Sequence, residues 1–153
     1  MIYIAHRGNI NGPNSRENDP SYIKEALFFK YDVEIDVWRK GKWWFLGHDK
    51  PEYPVEEDFL LNRRLWCHAK NLEALVELRN IHAHCFWHQN DDYTLTSRGY
   101  IWVYPGKPLA KNCVAVLPDG IYNNDELFYC YAICGDNVAR YREYCENRSS
   151  TNV

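Results

Sequence analysis

The chain has 153 residues, of which 46% are hydrophobic, and a formal net charge of −3. That length supports one domain, residues 1–153, with a sizeable core, while the charge excludes the basic field of a nucleic-acid binder. No apolar run is long enough to span a bilayer, and MIYIAHRG lacks the charged and long apolar regions of a signal peptide, so a cytoplasmic protein is the simplest expectation.

In chain order, IYIAH (2–6) reads as a strand and leads into the polar loop RGNINGPNSREND. DPSYIKEALFFK (19–30) follows as a helix, with Asp19 as N-cap and Pro20 in the first helical position. YDVEIDVW (31–38) is a second strand, and RKGK turns it into the arm WWFLGHD (43–49). PVEEDFLLN (54–62) suggests a short helix. RLWCHAK (64–70) is a third core strand, and NLEALVELRN (71–80) an amphipathic helix opening at Asn71. Further strands are expected at 83–89, 99–105, 112–119 and 128–136, and a helix at 137–148. The six cysteines, 67, 85, 113, 130, 134 and 145, lack the close C-x-x-C spacing of zinc sites and are expected to be free structural thiols.

Strand followed by helix, twice in succession, predicts a parallel α/β fold: a reduced (βα) TIM-type barrel, closed or partly open. A complete barrel takes about 250 residues, so several outer helices, mainly in the second half, are expected to shrink to loops.

Glu34 and Asp36 lie two apart in an apolar strand and point to the same face. Two buried like charges repel, and each resists leaving water. A hard divalent cation removes that conflict and binds phosphate oxygens. The other chemistry-bearing groups are placed at the same strand ends: His6-Arg7 after the first strand, His48-Asp49 after the arm, and His68 and Lys70 after the third. Arg7 and Lys70 suit phosphate charge, and His6 and His48 suit proton transfer near neutral pH. Each piece also has a plainer reading, such as a solvent-facing E-x-D strand or a hydrogen-bonded structural His68. His84, Phe86 and His88 alternate on one face, and Tyr100, Trp102 and Tyr104 on another. Lys107 and Asp136-Asn137 fall near the same rim. For the aromatics a core role outweighs a ligand pocket.

IAHRG, SRENDPSYIKEAL, VEIDVW and LGHD, in that order, resemble the glycerophosphodiester phosphodiesterase family, which carries H-R-G, P-E-N-T, E-x-D and H-D at similar spacing. The resemblance covers Ile2 to Asp49, with LWCHAKN extending it weakly to residue 71. It implies a metal-dependent hydrolysis of a glycerophosphodiester to an alcohol and glycerol phosphate. His6 and His48 would be the acid/base pair, Glu34 and Asp36 the ligands of Mg²⁺ or Ca²⁺, and Arg7 a phosphate contact. Glu17 and Asn18 match the family's second motif, with Glu17 fixing Arg7, and Lys70 matches the lysine of its E-x-K motif.

Two departures stand out. The E-x-K glutamate, a third metal ligand in the family, is His68 here, which shifts the expected ion toward Mn²⁺ or Zn²⁺ or weakens binding. The family's insertion after the arm is also missing, with residues 50–64 in its place. The related sphingomyelinase D enzymes release a cyclic phosphate from a similar layout, which leaves that product open. The lost glutamate and the trimmed chain also leave open a non-catalytic, phosphate-binding module derived from such an enzyme.

Overall fold

The computed structural model describes residues 1–150. Its order is β1 (Ile2–His6), α1 (Pro20–Phe28), β2 (Asp32–Lys40), β3 (Trp43–Leu46), β4 (Tyr53–Val55), α2 (Glu57–Leu60), β5 (Leu65–Ala69), α3 (Leu72–Asn80), β6 (Cys85–Phe86), β7 (Tyr93–Leu95), β8 (Ile101–Val103), β9 (Cys113–Val116), α4 (Asn124–Phe128), β10 (Ala132–Gly135) and α5 (Val138–Ser150).

The architecture corrects the expected TIM-type barrel. The ten strands form one mixed sheet curled into a half-barrel, with few helices. Parallel ladders link β8, β9, β10, β1, β2, β5 and β6 in that spatial order. Antiparallel ladders add β3 and β4 as an arm on β2, and β7 as an edge on β8. Among the described residues no ladder joins β6 to β8, so the curl stays open there. The physical reason is chain length: the connections from β6 to β9 hold turns and a hairpin, with no helix to build a closed outer ring.

Local chemistry explains the elements that position the site. Asp19 accepts a hydrogen bond from the Ser21 amide at 2.7 Å and caps α1, with Pro20 at its start. Asn71 caps α3 through the Ala74 amide at 3.0 Å. Gly47 ends β3 at φ +148, where a methyl would collide with the Lys50 carbonyl. Its amide donates to the Asp36 carbonyl at 3.1 Å and returns the arm toward the middle of β2.

Period-2 alternation divides the sheet into two faces. Val33, Ile35, Val37, Leu65, Cys67 and Ala69 point outward, packing with Ile23 and Ala26 of α1 and Ala74 and Leu78 of α3. The inner face holds a cluster without helical members: Ile4, Trp66, Phe86, Trp102, Val114 and Cys134. Trp66 stands 6.1 Å from Trp102, and Phe86 4.5 Å from Trp102, ring centre to ring centre. These rings fill the curl as core, and the strand register sets Trp66 opposite Glu34 and Phe86 opposite His68. Five of the six thiols are buried, and among the described residues none forms a disulfide. Among the described residues no helix is long and apolar enough to cross a membrane.

Candidate active site

Strand register places the site. His6 pairs with Glu34 across the β1–β2 ladder, and Asp36 with His68 across β2–β5. Adjacent parallel strands therefore present these side chains side by side on the inner face. Glu34 and Asp36 are 2% and 1% exposed. One donor atom from each of Glu34, Asp36 and His68 lies within 4.8 Å of the others.

Asp36 is held by several groups. The Asn18 amide nitrogen donates to its Oδ2 at 2.9 Å, and the Asp36 backbone amide donates to Asn18 Oδ1 at 2.9 Å. Asn18 adopts the left-handed φ of +63 to make this reciprocal pair. Arg7 Nε lies 3.2 Å from Oδ2, while Lys70 Nζ and His68 Nδ1 lie 3.4 and 3.3 Å from Oδ1. Even so, no hydrogen bond of normal geometry reaches Oδ1. Burial raises the Asp36 pKa, but the His68 ring, Lys70 and Arg7 outweigh it and hold the group below its ordinary value.

Glu34 is less well compensated. His68 Nδ1 stands 3.7 Å from Oε1, His6 Nε2 3.9 Å from Oε2, and the Arg7 amide donates to Oε2 at 3.3 Å. Burial, followed by the Asp36 charge, raises its pKa above the ordinary value. The fold disfavours the ionised form, so this residue lowers stability as pH climbs from its unfolded pKa through the raised folded one. Glu34→Gln is therefore expected to stabilise the metal-free protein at pH 7 by about 0.5–2 kcal/mol, with no gain at pH 4, and to abolish cation binding. Urea titrations in chelator at both pH values check this.

His6 is oriented from behind. Its Nδ1–H donates to Asp136 Oδ1 at 2.8 Å, leaving Nε2 toward Glu34. Asn9, fully buried, donates to both Asp136 Oδ1 and Glu17 Oε1 at 2.8 Å. Glu17 in turn accepts from Arg7 Nη1 at 3.1 Å. Burial lowers the His6 pKa, but the Asp136 hydrogen bond and the Glu34 charge together leave it above its ordinary value.

Arg7, Glu17, Asn18 and Lys70 thus join the cluster as buttresses of its carboxylates. His48 sits apart: its side chain is 44% exposed and bonded to Asp49 at 2.7 Å. Among the described residues no hydrogen bond or ion pair ties it to His6 or the carboxylates. Asp136, expected only near the rim, and Asn9 are the orienting groups that sequence reasoning missed. Asp136 could have been found from its place just past the last inner strand; Asn9 carries no comparable signal. Lys107 pairs with Asp92 at 3.0 Å instead of entering the site.

The donor set fits a divalent cation. Two carboxylates and an imidazole converge, and a buried carboxylate oxygen is left without a hydrogen bond. Nearby, four carboxyl groups (Glu17, Glu34, Asp36, Asp136) meet two basic side chains, Arg7 and Lys70, so acidic groups are in excess around the cluster. No protein-family model, curated protein or solved structure matches the chain.

Proposed function

We propose that this chain is a metal-dependent phosphodiesterase that hydrolyses a glycerophosphodiester to an alcohol and glycerol phosphate. The observation that carries the reading is the buried Glu34–Asp36–His68 cluster beside a histidine oriented by a carboxylate. When bound there, a divalent ion supplies polarisation of the phosphoryl group and neutralisation of its charge. Arg7 and Lys70 add positive charge on either side of Asp36 and attract the phosphate. His6 Nε2 faces the site and exchanges a proton with the attacking or leaving oxygen, while Asp136 fixes the opposite nitrogen as the donor. The complementary proton step is assigned to His48, at the exposed end of the arm, from the resemblance of its H-D motif alone; its ring pairs with Asp49.

Glycerophosphocholine and bis(p-nitrophenyl) phosphate, offered with Mg²⁺, Ca²⁺, Mn²⁺ and Zn²⁺, test the proposal. Turnover that EDTA abolishes is the expected result, and phosphorus NMR separates glycerol phosphate from a cyclic product. Absence of turnover with every ion, or turnover indifferent to EDTA, overturns it. A further outcome concerns Asp136→Asn. Loss of this charge leaves burial dominant on His6, so the limb of the pH–rate profile that reports His6 moves to lower pH. Turnover falls by about 10–100-fold, short of losing the base outright.

A further inference from the structure

The third ligand position separates this site from an all-oxygen one, and the residues behind it determine how that position is used. His68 Nε2–H donates to the backbone carbonyl of His88 at 2.8 Å. That carbonyl lies just beyond β6, in the segment that leaves the sheet. A histidine whose far nitrogen is engaged by a carbonyl has its tautomer and ring plane fixed, the arrangement found behind metal-ligating imidazoles. The Phe86 ring adds a second constraint, stacking on His68 at 5.1 Å with an interplanar angle of 10°. Only Nδ1 remains, and it points at Asp36 Oδ1 (3.3 Å) and Glu34 Oε1 (3.7 Å). With Nδ1 free of a proton, three electron-rich atoms face one point, the imidazole held there from two sides. The ring that holds the Asp36 pKa low in the metal-free chain is the one carrying a proton at Nδ1, whose place a cation would take.

From this geometry we infer that the site is built for a transition ion of the Mn²⁺, Co²⁺ or Zn²⁺ class, ligated by His68 Nδ1 with Glu34 and Asp36, and that it discriminates against Ca²⁺. The inference deepens the metal site of the phosphodiesterase reading and does not require turnover. Imidazole is a poor partner for the hard alkaline-earth ions, which take oxygen donors, and a good one for Co²⁺ and Zn²⁺. Ca²⁺ also asks for six to eight oxygens in a flexible shell. Here Asp36 is pinned by Asn18, Arg7 and Lys70, Glu34 accepts from the Arg7 amide, and the third donor is nitrogen. The competing account is that His68 carries a second proton and serves only as an ion-pair partner of Asp36, with no metal bound.

Three measurements on the full chain decide between them. Calorimetric titration with each chloride salt is expected to give one site for Zn²⁺, Co²⁺ and Mn²⁺, with Ca²⁺ at least about tenfold weaker. X-ray absorption of the Zn²⁺-loaded wild type is expected to show oxygen and nitrogen neighbours, with the outer-shell scattering of one imidazole and no sulfur. His68→Glu, which restores an all-oxygen set, is expected to raise Ca²⁺ affinity and lower Zn²⁺ affinity. If that variant fails to fold, the wild-type spectrum and titration suffice. No divalent binding at millimolar ion overturns the inference, as do Ca²⁺ binding as tight as Zn²⁺, sulfur ligation, or the absence of imidazole scattering. Selective binding without hydrolysis of any diester leaves this inference standing and overturns only the proposed activity.

Discussion

Replacing His6 by alanine is expected to lower phosphodiester turnover by about 10²–10⁴-fold, the usual contribution of a positioned proton-transfer group. Divalent-ion affinity should be nearly unchanged, because His6 Nε2 stands 3.9 Å from Glu34 and outside the three-ligand cluster. The substitution leaves Asp136 with the Asn9 hydrogen bond, so the carboxylate is not stranded. Steady-state kinetics with saturating metal, together with calorimetric titration, separate the two effects. A variant that keeps more than a tenth of wild-type turnover removes His6 from the mechanism. The same assay on His48→Ala tests whether the exposed histidine is truly its partner; a loss of similar size is expected.

The second large effect concerns stability and falls one residue from Glu34. Ile35 is fully buried on the outer face of β2, beneath α1 and α3. Ile35→Ala is expected to cost about 2–5 kcal/mol through lost transfer energy and the cavity left behind, a large share of the about 5–15 kcal/mol that holds a typical domain folded. Urea unfolding with an unchanged slope and a lowered midpoint is the signature. Neighbouring positions on one strand thus carry opposite signs: Ile35→Ala destabilises, while Glu34→Gln stabilises the metal-free chain. A loss below about 1 kcal/mol would show that α1 and α3 do not seal the outer face as described.

The strands of the first half were legible because their signals are local. Alternation in DVEIDVW set the carboxylates on one face, and Asp19-Pro20 and Asn71 marked the helix starts at the positions where caps form. The curl itself was not. Short apolar runs at 83–89 and 99–105 shrink to Cys85–Phe86 and Ile101–Val103, and nothing in their periodicity reveals that β7 turns back antiparallel on β8. An intervening helix would have carried the chain onward to another parallel strand; without it the ring stays open. The site shows the same division. Glu34 and Asp36 were readable as residues two apart on one strand, and His68 as a group at the end of another. The Asn18–Asp36 clamp depends on a left-handed asparagine, and the Asp136–His6 bond on a ladder between distant strands.

That last ladder bears on timing. β1 lies between β2 and β10, and His6 meets Asp136 across 130 positions of chain. At synthesis rates of about 5–20 residues per second, the edge of β1 waits on the order of ten seconds for its partner. The cation ligands, by contrast, are complete once β5 has joined β2. A nascent chain ending before β10 would hold the three candidate ligands but not the Asp136 carboxylate that orients His6. On the proposed reading, ion capture and catalytic competence would therefore be acquired in sequence, and a ribosome-stalled fragment is expected to show the first without the second.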